Sequence, residues 1–256
     1  MKEKVDNSIK LAVLWTIGAL GGTLFFLLII FGRIRLMGYD INKLYPTKKG
    51  LIVIYNHPSL WEPGLLPFLF FPFFLFSLKF TPYSAPDKRN FFDKWWFYLI
   101  RCFCIPIDRE KGRTKGLREL IRNVNEGKIV MVAPEGGRTD KGEEFKVLEN
   151  KGKIVIKKKK ELTQNDIHKI RRFQRGFSAL LKFTEAPVLP IWTEGGNRVI
   201  PNKDYFPKGP YFLLPNLKAK TIIKIGERIK IKDANQLEDI LLQTSPKTNT
   251  CSLRGC

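Results

Sequence analysis

Short apolar runs alternate with amphipathic runs over most of this chain of 256 residues. A short apolar run is typical of a buried strand, whereas apolar positions spaced three or four apart are typical of a helix packed on a core. The alternation predicts an α/β domain built around a mostly buried sheet. The predicted strands are 51–56, 73–79, 102–107, 128–133, 187–192, 221–225 and 228–232. The predicted helices are 91–100, 114–125, 176–184 and 235–242.

Residues 11–32 form a run of 22 residues without a charge, with lysines before it and arginines after it. A helix of that length reaches about 30 Å, which is enough to cross a bilayer. The run is long for a cleaved signal peptide, and no small-residue cleavage site follows it. We therefore expect residues 1–35 to be a membrane anchor. Basic residues on both flanks leave its orientation open, and Gly18, Gly21 and Gly22 allow the helix to bend and lie within one leaflet.

The formal net charge is +21 at pH 7. Such an excess indicates a polyanionic partner, which is nucleic acid, an anionic membrane surface or a phosphorylated substrate. Beside a membrane anchor, we expect the anionic membrane surface and no nucleic acid. Residues 151–175 alone carry ten Lys or Arg against Glu161 and Asp166. This segment is either a solvated face or a binding surface for anionic headgroups.

The four cysteines do not form the pattern of a disulfide framework, which is typical of a reduced protein facing the cytoplasm. The apolar segment 65–78 contains six phenylalanines and two prolines, so it is too short and too broken to be one membrane-spanning helix. It is either a core strand with a loop, or a surface facing a membrane or an acyl chain. We expect a domain from 36 to 243 and a flexible tail from 244 to 256.

The segment Asn-His-Pro-Ser-Leu-Trp-Glu, residues 56–62, follows the first predicted strand and contains His57, one of two histidines. Histidine can take and return a proton near neutral pH. Pro58 favours an extended His57, and Ser59 and Glu62 fit a capping box that opens a short helix. Within one helix, a spacing of five would set His57 and Glu62 about 140° apart. An extended His57 instead allows Glu62 to fold back toward the imidazole, so Glu62 is a helix cap, a partner of His57, or both.

Two further polar clusters follow apolar runs. Ile-Pro-Ile-Asp-Arg ends at Arg109, and Ala-Pro-Glu-Gly-Gly-Arg-Thr contains Glu135, Gly136 and Arg138. Glycines bring backbone N–H groups close to a ligand, and arginine offers a planar fork that suits phosphate. In isolation, the first cluster is weak evidence, because an Asp-Arg pair at a strand end is common on surfaces. The second is equally explained as a tight Gly-Gly turn with a surface arginine. The later Ala-Pro-Val-Leu-Pro-Ile segment, residues 186–191, is expected to have a structural role.

Other chemistry has little support in the sequence. Residues 176–180, Gly-Phe-Ser-Ala-Leu, lack the second glycine of a nucleophile elbow. No H-E-x-x-H motif, paired C-x-x-C motif or Walker loop occurs. His168, in Asp-Ile-His-Lys, is predicted to lie on the surface of a helix. We therefore expect no metal and no bound cofactor.

Four segments resemble, in this order, the motifs of the glycerolipid acyltransferase family typified by 1-acylglycerol-3-phosphate acyltransferase (PlsC-type). They are residues 56–62, 105–109, 133–139 and 186–191. The family's pattern is N-H-x-S-x-x-D, then F-I-D-R, then P-E-G-T-R-S, then V-P-V, and the resemblance spans about residues 45–230. It implies a mixed, mostly parallel sheet flanked by helices. It also implies transfer of a fatty acyl group from acyl-CoA or acyl carrier protein to the free hydroxyl of a lysophospholipid, most simply 1-acylglycerol-3-phosphate, at a membrane.

The resemblance also implies roles for residues. His57 is expected to be the general base and Glu62, at the family's aspartate position, its orienting partner. Arg109 and Arg138 are expected to hold the acceptor phosphate, with Glu135 and Gly136 shaping that site. Departures from the pattern concern the acceptor: Glu62 replaces aspartate, Gly137 and Thr139 replace threonine and serine, and the link between Thr139 and Arg175 is longer than usual. The alternatives are another lysolipid acceptor, a non-catalytic basic membrane tether and a nucleic-acid-binding protein.

Overall fold

The computed structural model describes residues 8, 11–108, 113–149, 152–164, 166–200, 216 and 218–246. The strands in these ranges are β1 (Ile34–Met37), β2 (Leu51–Tyr55), β3 (Pro82–Ser84), β4 (Ile129–Val132), β5 (Glu144–Leu148), β6 (Ile154–Lys158), β7 (Lys169–Arg171), β8 (Val188–Glu194) and β9 (Thr221–Ile225). The α-helices are α1 (Ala19–Ile30), α2 (Ile41–Leu44), α3 (Trp61–Leu65), α4 (Phe73–Phe76), α5 (Arg113–Asn125), α6 (Arg175–Lys182), α7 (Gly196–Val199) and α8 (Ala234–Gln243).

The main sheet has the strand order β1-β9-β8-β2-β4-β3. Every neighbouring pair is parallel except β8 and β9, which are antiparallel. The predicted mixed, mostly parallel sheet is therefore confirmed. A second, antiparallel sheet has the order β6-β5-β7 and lies between β4 and α6 in the sequence.

The centre of the main sheet is buried on both faces. All five residues of β2 are buried, and successive side chains of a strand point to opposite faces. Leu51, Val53 and Tyr55 accordingly pack in one apolar cluster with α1 and the phenylalanine-rich segment. Ile52 and Ile54 pack in the other cluster, with α5, α6 and α8. A continuous apolar run is typical of a parallel strand covered on both faces.

The N-terminal helix packs along the domain. It runs from Leu11 to Ile30, with a π-helical turn at Leu14–Gly18, and by length and composition it could cross a membrane. About 28% of its most apolar window is buried. A Cβ atom at Gly18, Gly21 or Gly22 would lie within 2.7 Å of the rings of Phe74, Phe68 and Phe71 respectively. These glycines therefore allow the phenylalanine-rich segment to contact the helix backbone.

Several predicted elements are confirmed, because β2, β4, β8, β9, α5, α6 and α8 match their predicted positions within two residues. The strand predicted at 73–79 is wrong: that segment is α4 followed by a 3-10 turn at Leu78–Phe80. The strand predicted at 102–107 is also wrong, since a 3-10 helix, Trp95–Phe103, ends there and leaves only isolated bridges. That 3-10 helix and a π-helical turn at Lys88–Phe92 replace the α-helix predicted at 91–100.

At 228–232 only Ile229 forms a bridge, with Val188. The sequence analysis missed β1, β3 and the whole second sheet. β1 pairs with β9 in the main sheet, so its residues Ile34 and Arg35 continue directly from the N-terminal segment into the domain. At the other end, Thr244 and Ser245 are buried, and residues 247–256 lie outside the described part of the chain.

The prediction that His168 lies on the surface of a helix is wrong. It precedes β7 and is buried, with its Nδ1 3.2 Å from the Oγ of Ser245 and its Nε2 3.8 Å from the carboxylate of Glu194. Its ring packs edge-on against Trp192, with 5.7 Å between ring centroids. His168 therefore joins the second sheet, β8 and the end of α8.

Candidate active site

Three neighbouring parallel strands, β4, β2 and β8, end at the same edge of the main sheet. β2 is paired with β4 through Ile54 and Val132, and with β8 through Tyr55 and Ile191. Ligands of open α/β sheets bind outside the carboxyl ends of the strands. The segments that follow these three strands carry His57, the 133–139 loop and Gly196, so the parallel pairing brings them together.

Asn56 fixes the end of β2 against β8. Its side-chain amide donates to the carbonyl oxygen of Thr193 at 2.9 Å, and its Oδ1 accepts from the N–H of Thr193 at 2.7 Å. Both residues are buried. The amide group thus continues the β2–β8 ladder by one further pair and defines the direction in which His57 leaves the strand.

His57 is held through its backbone and leaves its ring partly exposed. Its N–H donates to Oε1 of Glu135 at 2.9 Å, and its carbonyl oxygen accepts from the N–H of Thr139 at 2.8 Å. The ring is packed edge-on against Tyr55 and is 13% exposed. Because both backbone groups are tied to the 133–139 loop, the imidazole has a defined position beside that loop.

Glu62 faces the imidazole from the start of α3. Its Oε2 lies 3.4 Å from Nδ1 of His57, and its carboxylate is 1% exposed. This separation brings the carboxylate beside the imidazole, although Nδ1 forms no well-aligned hydrogen bond among the described residues. Catalytic hydrogen bonds are often long in a protein without substrate and shorten when substrate binds. The approach predicted from the extended His57 is present.

Glu62 also caps the helix. It accepts from the N–H and Oγ of Ser59, at 2.9 and 2.8 Å, and Ser59 Oγ in turn accepts from the N–H of Trp61 at 3.0 Å. The two roles considered for Glu62 therefore coexist, because the cap fixes the carboxylate at the distance where it faces His57. A buried carboxylate is costly unless it is hydrogen-bonded, and Ser59 supplies both bonds.

Glu135 connects the two halves of the site from inside the protein. It is fully buried, and its oxygens accept from the N–H groups of His57 and Arg171, each at 2.9 Å, and from the hydroxyl of Thr139 at 3.0 Å. Burial raises the pKa of this carboxyl above its ordinary value, while the hydrogen bonds from the Arg171 and His57 backbones oppose the rise. The carboxylate is positioned to shape the loop rather than to contact a ligand.

The 133–139 loop turns at Gly136, whose N–H donates to the carbonyl oxygen of Ala133 at 3.0 Å. Gly136 has a φ of 69°, and a Cβ atom there would lie 2.5 Å from the side chain of Gln174. Both facts require glycine at this position. Arg138 follows, with a side chain that is 13% exposed and an Nε 3.8 Å from a carboxylate oxygen of Asp140.

The structure thus brings His57, Glu62, Glu135, Gly136 and Arg138 into one cluster. Arg109 lies outside the described residues, which end at Asp108 and resume at 113. Within the described ranges, no group of three or more His, Cys, Asp or Glu side chains is arranged to hold a metal ion.

Sequence reasoning missed three residues at this site. Gly196 packs against Glu62, since a Cβ atom there would lie 2.1 Å from Oε1 of Glu62. Thr193 holds Asn56, and Arg171 reaches the 133–139 loop from β7. A Gly-Gly pair directly after the apolar run of β8 was the available signal for Gly196. Nothing in the local sequence indicated Arg171.

Comparisons with known proteins identify a family and a similar fold. A family model described as Acyltransferase matches residues 39–194, more than half of the chain. The fold is similar to the crystal structure of the 1-acyl-sn-glycerophosphate (LPA) acyltransferase PlsC from Thermotoga maritima, with a TM-score of 0.55 and 18% sequence identity over 95% of this chain and 79% of that chain. The comparison with curated proteins finds no match. Because the family model spans His57, Glu62 and the 133–139 loop, the resemblance noted in the sequence is confirmed, and the chain belongs to the Acyltransferase family.

Proposed function

We propose that this enzyme transfers a fatty acyl group from acyl-CoA or acyl carrier protein to the free hydroxyl of 1-acylglycerol-3-phosphate, giving phosphatidic acid. The observation that carries the proposal is the approach of the buried Glu62 carboxylate to His57, 3.4 Å from Nδ1, beside the loop that presents Arg138. A proton acceptor next to an anion-binding group suits an alcohol that carries a phosphate.

In the proposed reaction, His57 acts through Nε2, the ring nitrogen that does not face Glu62. Nε2 removes the proton of the acceptor hydroxyl as its oxygen attacks the thioester carbonyl carbon. The imidazolium formed is stabilised by the carboxylate of Glu62. The tetrahedral intermediate then expels the thiolate as the carbon–sulfur bond breaks, and the imidazolium returns the proton to the sulfur. General base catalysis of this kind typically contributes about 10²- to 10⁴-fold.

The acceptor phosphate is proposed to lie against the 133–139 loop. Arg138 supplies a guanidinium group there, and Gly136 brings the backbone close because it has no side chain. Arg109 is proposed to add a second guanidinium group, as the family resemblance implies. Glu135 has a supporting role, since its buried carboxylate holds the backbone of His57.

The N-terminal helix is proposed to bring this site to a membrane, with the catalytic domain on the cytoplasmic side. Leu20 and Ile30 are 75% and 74% exposed on that helix, and Phe31 directly after it is 70% exposed. Large exposed apolar surfaces mark interaction sites. The opposite face of the helix packs on the phenylalanine-rich segment, which favours a helix that enters one leaflet together with the domain.

The test is an acyl-transfer assay on the purified full-length protein. Labelled long-chain acyl-CoA is supplied with 1-acylglycerol-3-phosphate, lysophosphatidylcholine or lysophosphatidylethanolamine. We expect transfer to the first acceptor, a loss of kcat of at least about 100-fold in both His57→Ala and His57→Gln, and no loss in Arg118→Ala, an exposed position on α5.

Thermal unfolding and flotation with liposomes check that the His57 variants remain folded and membrane-bound. Full activity of His57→Gln would refute the assigned base. Transfer to a different lysolipid in preference to 1-acylglycerol-3-phosphate would refute the assigned acceptor while leaving the reaction type intact.

A further inference from the structure

The second sheet reaches the active site through the last residue of β7. Arg171 donates its backbone N–H to Oε2 of Glu135, whose other oxygen holds the N–H of His57. One buried carboxylate therefore fixes the end of β7 relative to the catalytic histidine. The second sheet is formed by the segment that is longer than the family's usual link, so its position at the site is a feature of this chain.

The Arg171 guanidinium lies along the 133–139 loop. Its Nη1 donates to the carbonyl oxygen of Arg138 at 3.4 Å, and it lies 3.0 Å from where a Cβ atom of residue 137 would be. A Cβ atom at Gly142 would lie 2.6 Å from Cγ of Arg171. Two glycines thus leave room for this side chain, and one of them, Gly137, replaces the threonine of the family pattern.

No carboxylate within the described part of the chain pairs with the charge of Arg171. Among the residues that the structure describes, it forms no ion pair, and its guanidinium makes one long hydrogen bond to a neutral carbonyl. The adjacent Arg172 differs, since its Nε lies 3.0 Å from the buried carboxylate of Glu238 and its Nη2 donates to Asn235 at 2.9 Å. Arg172 is therefore bound to α8, whereas Arg171 lies along the 133–139 loop.

We propose that Arg171 binds the phosphate of the acceptor and selects an acceptor whose phosphate is a monoester. An arginine offers five N–H donors in a fixed plane that matches phosphate geometry, and Arg171 uses one of them. A phosphate monoester carries up to two negative charges near neutral pH. Arg138 already lies 3.8 Å from a carboxylate oxygen of Asp140, so the added charge of Arg171 is what favours a doubly charged monoester over the single charge of a phosphodiester headgroup.

This inference rests on the proposed function, but its first measurement does not require catalysis. Binding of glycerol 3-phosphate is measured by isothermal titration calorimetry on the full-length protein, with His57→Gln as a background that cannot turn over. Arg171→Gln should weaken binding about tenfold to a hundredfold, because it removes charge-assisted hydrogen bonds. Lys153→Gln removes the same charge from an exposed position at the turn between β5 and β6, and should have no effect.

Kinetics then separate the two sources of phosphate, which are the acceptor and the coenzyme A of the donor. In Arg171→Gln, we expect the KM for 1-acylglycerol-3-phosphate to rise about tenfold to a hundredfold, with kcat and the KM for acyl-CoA within about twofold of the wild-type values. Arg171→Lys keeps the charge without the planar fork, so its KM for 1-acylglycerol-3-phosphate should lie between those of the wild type and Arg171→Gln. The backbone N–H bond to Glu135 persists in both variants, so the loop is expected to stay in place.

Equal affinity for glycerol 3-phosphate in Arg171→Gln and Lys153→Gln would overturn the inference, as would a rise confined to the KM for acyl-CoA. If His57→Gln kept full acyl transfer while Arg171→Gln lost phosphate binding, the proposed mechanism would fail and the Arg171 site would stand.

Discussion

Gly196→Ala is expected to disable the enzyme by displacing Glu62. The new methyl group would lie 2.1 Å from Oε1 of Glu62, 3.2 Å from its Cδ and 2.7 Å from Oγ of Ser59. Glu62 cannot retreat easily, because it is 1% exposed and its two oxygens are bonded to Ser59. The carboxylate must therefore move by about 1 Å to restore ordinary contacts, and an error of that size in a catalytic constellation costs about 100-fold in rate.

The stability cost follows from the same contact. Forcing a methyl group into a packed site costs about 1–3 kcal/mol, which chemical denaturation measures directly. Gly64→Ala is the matched control, because Gly64 lies on α3 two residues from Glu62 and a Cβ atom there meets nothing within 4 Å. Alanine is a better helix former than glycine by about 1 kcal/mol, so this control should keep its activity and be no less stable.

A second substitution tests whether the clash is the cause. Glu62→Asp withdraws the carboxylate by about one bond length, ~1.5 Å, which is enough to admit the methyl group of Gly196→Ala. The double variant should therefore be more stable than Gly196→Ala alone, with a coupling energy of about 0.5–3 kcal/mol. Wild-type kcat and stability in Gly196→Ala, or strictly additive losses in the double variant, would show that Glu62 is not packed tightly against Gly196.

Three further outcomes are expected. Glu135→Gln sets an amide donor against buried donors and should cost about 1–3 kcal/mol in denaturation experiments, whereas unchanged stability would contradict a bracing role. The pKa of Asp166 is held below its ordinary value, first by a hydrogen bond from the N–H of Thr163 and then by one from Lys157. The stabilisation that the ionised Asp166 gives is therefore present above about pH 4 and lost as the pH falls further. Asp166→Asn should flatten the acid side of a Tm–pH profile, and an unchanged profile would refute this. Leu20→Lys should reduce flotation with anionic liposomes, while Ile167→Lys, equally charged and 57% exposed on the second-sheet side, should not.

The local sequence was sufficient to predict a segment's structure where that structure did not depend on which other segments pack against it. β2, β4, β8 and β9 were predicted within two residues, since a strand covered on both faces needs a continuous apolar run. The approach of Glu62 to His57 was also predictable, because Pro58 and the Ser59 cap act over a few residues. The segment 73–79 was mistaken for a strand because its apolar run carries no helical or strand period, and it became helical where it packs against the N-terminal helix.

Only the tertiary structure decided the contacts between residues that are far apart in the sequence. His168 is buried because Trp192, Glu194 and Ser245 surround it, and all three are distant from it in the sequence. Arg171 is indistinguishable from the other basic residues of 151–175 until Glu135 fixes its backbone beside His57. The sequence by itself determined the central strands of the main sheet and the approach of Glu62 to His57, because both depend on burial pattern and local backbone preference. Which arginine of 151–175 lies beside the 133–139 loop depended on strand pairing, which no short sequence pattern records.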